Sequence, residues 1–66
     1  MTNEELKEVM NSRTPVEYRG TTYSRISAII YRKSDSGMFV QAELMDRNNN
    51  YVVIARPIEV KRLEAK

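Results

Sequence analysis

Between Thr21 and Ala55, apolar and polar residues alternate through three segments, separated by the polar runs Ser34-Asp35-Ser36-Gly37 and Arg47-Asn48-Asn49-Asn50. A period of two is the spacing of a strand with one buried face. Both interruptions are rich in residues that turn a chain by local hydrogen bonding or left-handed backbone. The stretch therefore predicts an antiparallel meander. A chain of 66 residues buries only about 60% of the surface its unfolded form exposes. With no cysteine to staple it, it must rest on one compact core, so it reads as a single domain over 1–66.

The first strand of the reading is Val16 to Tyr18, followed by a tight turn at Arg19-Gly20 in which Gly20 takes positive φ. The second and longest strand runs from Thr22 to Lys33. Strict alternation puts Ile26, Ala28 and Ile30 inward, with Arg25, Ser27, Ile29, Tyr31 and Lys33 on the opposite face. The third strand, Met38 to Asp46, places Met38, Val40, Ala42 and Leu44 inward and Phe39, Gln41, Glu43 and Met45 outward. A fourth, almost wholly apolar strand covers Tyr51 to Ala55. Arg56-Pro57 breaks it, a single 3₁₀ turn follows, and Val60 to Leu63 form a short last strand before a tail, Glu64-Ala65-Lys66, expected to fray.

Residues 2–11 read as a short helix. Thr2 and Glu5 have the Thr-x-x-Glu spacing of a capping box, and Leu6, Val9 and Met10 make one narrow apolar stripe. Ten residues do not hold a helix alone in water, so the stripe must dock on the sheet. Pro15 ends the helical segment. The predicted fold class is thus mainly β: a five-stranded antiparallel SH3-like barrel over 15–63, preceded by the helix. An OB-fold is the poorer match, because it needs a helix between the third and fourth strands, where only Arg47 to Asn50 stand.

The order of helix, Pro-Val-x-Tyr-x-Gly-x-x-Tyr (Pro15 to Tyr23), Ile-Ser-Ala-Ile-Ile (Ile26 to Ile30) and Ala-Glu-Leu-Met-Asp (Ala42 to Asp46) resembles small uncharacterised proteins of bacterial prophages and mobile elements. The likeness covers most of the chain and rests on turns and core strands. It implies an SH3-like barrel acting as an accessory protein of a mobile element. It implies no catalytic, ligand or cofactor residue.

Composition narrows the chemistry. There is no His and no Cys, which removes the usual general base, thiol nucleophile and structural zinc set. Asp35 and Asp46 belong to turns, Glu43 and Asp46 are expected to leave opposite faces of one strand, and no serine has a base beside it. The chain is expected to be no enzyme and to need neither cofactor nor metal. Met1 is followed by polar Thr-Asn-Glu-Glu and not by a secretory leader, and no apolar run approaches the ~20 residues that span a bilayer. A soluble, cytoplasmic protein with no membrane partner and no small-molecule substrate is expected.

Net charge is +2. Residues 1–17 hold four Glu against Lys7 and Arg13, a balance of −2, while residues 18–66 hold nine basic and five acidic side chains, a balance of +4. On strict alternation Arg25, Ile29, Tyr31, Lys33, Phe39 and Met45 would form one outward patch, built from residue types enriched at protein interfaces. The favoured partner is another protein or a second copy of the chain. The alternative is a sequence-tolerant nucleic acid, stacked on Tyr31 and Phe39 and held by Arg25 and Lys33. Arg19, Arg32, Arg47, Arg56, Lys61 and Arg62 would then line an edge or loop.

Overall fold

The computed structural model describes residues 1–63. The frayed tail expected at 64–66 lies outside them. Helix α1 (Asn3–Ser12) is followed by β1 (Val16–Tyr18), β2 (Thr21–Tyr23), β3 (Arg25–Ser34), β4 (Gly37–Met45) and β5 (Val52–Ala55), then a 3₁₀ turn at Pro57–Glu59 and β6 (Val60–Arg62).

Both ends of α1 are built as the residues dictate. The Thr2 hydroxyl accepts from the Glu5 N–H at 3.1 Å and the Thr2 N–H donates to Glu5 Oε1 at 2.9 Å, so the capping box is complete. At the other end Arg13 sits in the left-handed region (φ 56°), and the N–H groups of Arg13 and Thr14 reach back to the carbonyls of Met10 and Val9. This is a Schellman-type end made without glycine.

The strands form two antiparallel three-stranded sheets, ordered β2-β1-β6 and β3-β4-β5. The predicted second strand is divided at Ser24. There the chain leaves the first sheet and enters the second, while the Ser24 N–H stays bonded to the Met45 carbonyl at 2.9 Å. Its hydroxyl reaches the carbonyls of Met45 and Asp46 as well. No ladder closes the two sheets on each other among the described residues. The β1–β2 turn has φ of 51° at Arg19 and 81° at Gly20, the paired positive values that match the twist of a hairpin.

The core lies between the sheets and under the helix. Leu6 and Val9 of α1, Val16, Tyr23, Ile26, Ala42, Leu44, Ala55 and Val60 are buried, and Met1, Met10, Tyr18, Ile29, Val40 and Val53 pack against them. The helical stripe docks mainly on β3.

One expectation about faces is overturned. Ile26 pairs with Leu44, yet the next partners are Ala28 and Glu43, so Ser27 is an extra residue opposite nothing. This β-bulge exchanges the faces of every residue after it. Ala28 and Ile30 therefore turn away from the core, and Ile29 turns onto it, opposite buried Ala42. The bulge is held by the Ser27 hydroxyl, which donates to Glu43 Oε1 at 2.8 Å and to the Glu43 carbonyl at 3.2 Å.

Candidate interaction surface

The bulge also divides the six-residue patch expected from strict alternation. Cross-strand pairing places Arg25 opposite Met45, Ala28 opposite Glu43, Ile30 opposite Gln41 and Arg32 opposite Phe39, all on the face away from the core. On β5, Val52 opposite Met45 and Ile54 opposite Glu43 extend that face. Ile29, Tyr31 and Lys33 lie instead on the core side, opposite Ala42, Val40 and Met38. Of the expected residues, Arg25, Phe39 and Met45 are kept together. Ile29 and Tyr31 lie beside the helix, where a shallow recess between them and Lys7, Met10 and Asn11 of α1 marks the contact line, while Lys33 stands farther out on the same side, exposed.

Four apolar outer-face residues are missing from the expected patch: Ala28, Ile30, Val52 and Ile54. The signal for the first two was present: Ala28-Ile29-Ile30-Tyr31 is a run of four without alternation, which one regular strand cannot divide between a wet and a dry face. The face carries Ala28, Ile30, Phe39, Met45, Val52 and Ile54, with Phe39 43%, Val52 42% and Ile54 41% exposed. An antiparallel sheet that turns one face to water normally makes that face polar. Here four of the ten residues that the pairs above put on this face are polar, Arg25, Arg32, Gln41 and Glu43, and each is engaged in a hydrogen bond. Arg32 Nε donates to Gln41 Oε1 at 2.6 Å, Glu43 accepts from Ser27, and Arg25 donates to Asn49 Oδ1 at 3.2 Å.

The edges of this sheet are as informative as its face. β4 pairs with β5 only from Ala42 to Met45, so residues 37–41 have β3 on one side and, among the described residues, no strand on the other. The Asp46 N–H bonds the Tyr51 carbonyl at 3.0 Å, which fixes the alternation of the ladder. Ala42 and Leu44 turn their backbone groups to β5, and Met38 and Val40, in phase with them, turn theirs to the open side. By the same parity the N–H and C=O of Val52 and Ile54 point away from β4. A groove of about 640 Å³ runs beside the open stretch of β4, walled by Met1, Val40, Pro57 and the exposed side chain of Ile58.

Charge is dispersed. Among the described residues the ion pairs are Arg19–Glu59 at 3.1 Å and Arg62–Glu8 at 2.9 Å, both on the surface. Arg19 also lies over the Tyr18 ring, 5.2 Å from its centre, and the hydrogen bond to Glu59 raises its pKa. At the far turn the negative charge of Asp46 raises the pKa of the exposed Tyr51 phenol. No three acidic side chains converge on a point where they could hold a metal ion among the described residues. No helix is long and apolar enough to cross a membrane among them either. Set against protein-family models, curated proteins and solved structures, the chain gives no significant match to any.

Proposed function

We propose that this chain is a non-catalytic interaction module whose docking surface is the outer face of the β3-β4-β5 sheet, and whose partner is another protein or a second copy of itself. The observation that carries the reading is the apolar character of that face, with Phe39, Val52 and Ile54 each more than two-fifths exposed. These side chains are already more than half covered, so burying what remains of each contributes about 0.6–1.3 kcal/mol, and the driving force comes from covering several of them together.

The strand path supports an SH3-like arrangement as the framework. The order β6-β1-β2 passes through Ser24 into β3-β4-β5, so one bent strand serves both sheets. The expected role, an accessory protein of a prophage or mobile element working in the cytoplasm, rests on the resemblance of the chain's strand and turn motifs alone.

The nucleic-acid alternative needed Arg25, Tyr31, Lys33 and Phe39 together. Pairing places Tyr31 and Lys33 on one face and Arg25 and Phe39 on the other, which removes the double stacking platform. The protein-docking reading is therefore preferred.

A photo-crosslinking amino acid at position 39, compared with the same group at Lys7, tests it in living cells. A discrete adduct from position 39 and none from position 7 is expected. No adduct at either position, or the same adducts at both, would remove the outer face as a docking surface. A fluorescence-anisotropy titration with single and double strands at about 50 and 200 mM salt checks the alternative, since a phosphate-binding protein loses affinity steeply over that range.

A further inference from the structure

We infer that two copies of this chain pair edge to edge through β5, antiparallel about a two-fold axis at Val53, and so form a continuous six-stranded sheet. The inference rests on the interaction-module reading and names both the occupant and the edge.

The two ends of the strand order differ sharply. At one end β6 is three residues long and carries Lys61 and Arg62. An identical strand laid against it would bring like charges together, and charged, short edges are the usual guard against strand addition. At the other end β5 has no guard. Tyr51 to Ala55 is five residues without a charge, a glycine or a proline, and four of them are β-branched or aromatic. The backbone N–H and C=O of Val52 and Ile54 point outward along this edge, with no strand beyond them among the described residues.

The geometry selects a second copy as the occupant because the edge is complementary to itself. A two-fold axis perpendicular to the sheet keeps the apolar face on one side, so residues opposite each other must share a face. With Val53 on the axis, Val52 of one copy stands opposite Ile54 of the other, and both are outer-face residues. Those are the two residues of β5 whose backbone groups point outward, and they exchange both hydrogen bonds at each of the two symmetry-related positions. Tyr51 stands opposite Ala55, so no charge is buried along the seam. Beyond it the chain turns away at Arg56-Pro57, which limits the register. The pairing also joins the Met45, Val52 and Ile54 portions of the two outer faces into one apolar surface, twice as wide as either copy offers.

Proline placement tests the seam. The Ile54 N–H faces outward, so Ile54→Pro removes a donor from the free edge and leaves the β4–β5 ladder its bonds, as proline is tolerated on edge strands. Ile54→Lys is a second variant, with its charge on the exposed face and beside the seam. Sedimentation of the full chain from low to high micromolar concentration is expected to show a species of twice the 7.7 kDa chain mass. Both variants are expected to remain at the single-chain mass with an unchanged circular dichroism spectrum. A wild-type protein that stays monomeric throughout would overturn the inference while leaving docking of another protein on the outer face to the crosslinking experiment. A dimer that survives in both variants would also overturn it, and would place self-association somewhere other than this edge.

Discussion

Two residues at the ends of α1 show how single positions set the stability of so small a chain. Arg13 holds φ at 56°, a conformation that costs an ordinary residue energy and glycine almost none. Its side chain makes no ion pair among the described residues. Arg13→Gly is therefore expected to stabilise the fold by about 0.5–1 kcal/mol, the usual gain when a strained left-handed position is relieved net of the added freedom of the unfolded chain. Urea denaturation reads the difference, and a loss of stability would show that Arg13 serves some other contact. At the opposite end, the N–H of Thr2 holds the Glu5 carboxyl below its usual pKa. A carboxyl whose folded pKa is depressed contributes stability above its unfolded pKa and loses it as pH falls through the lower, folded value. The capping box is thus complete at neutral pH and weakens in acid. Thr2→Ala is expected to cost about 1 kcal/mol at pH 7, and Glu5→Gln to flatten the acid limb of a stability-against-pH curve. An acid limb identical to that of the wild type would mean that other carboxylates carry it.

At the scale of elements, the period-two pattern made the meander legible. The capping-box spacing marked the start of the helix, and Pro57 marked the 3₁₀ turn before the last strand. Those features are local, and local chemistry decides them. The candidate surface was only half legible, because one bulge decides which side of the sheet a residue occupies, and Ser27 looks like any polar residue on the outer side of a strand. Its role depends on a non-local hydrogen bond to Glu43. The break at Ser24 is of the same kind, since it depends on bonds to Met45 and Asp46 across the sheet. The face exchange has a measurable consequence. Ile26 is buried against Leu44 ahead of the bulge, whereas Ile30 is half-buried on the outer face behind it. Ile26→Ala is expected to cost about 2–5 kcal/mol, the range for truncating an aliphatic side chain in a core. Ile30→Ala is expected to cost less than about 1 kcal/mol. Equal costs at the two positions would return Ile30 to the core and remove the bulge.

The whole molecule is longer than its size requires. Its radius of gyration is 11.6 Å and its principal extents are 40 × 24 × 20 Å, whereas a compact domain of this length has a radius near 10.8 Å by the usual scaling, about 7% smaller. The excess lies in the β3–β4 hairpin. From Ile30 to Gln41 it has no third strand among the described residues, because β5 ends level with Ala42 and α1 covers only the start of the ribbon. Nothing in this arm is buried, and Tyr31, Met38 and Phe39 are all exposed. A two-stranded ribbon is marginally stable by itself, so its stability must come from the core at its base, where Ile26, Ala42 and Leu44 are sealed. The ladder should therefore open from the tip without unfolding the domain. In native-state hydrogen exchange, the amides of Arg32 and Phe39, bonded across the arm, are expected to exchange well ahead of the Leu44 amide, and with little response to low denaturant. The Leu44 amide should exchange only with global unfolding. Equal rates at all three positions would make the arm part of the cooperative core and remove the basis for treating it as separately mobile. If the outer face is engaged, Phe39 comes under cover and its amide should slow selectively on rising protein concentration or on addition of a partner. The same measurement then reads the arm's mobility in the free chain and its arrest in the complex.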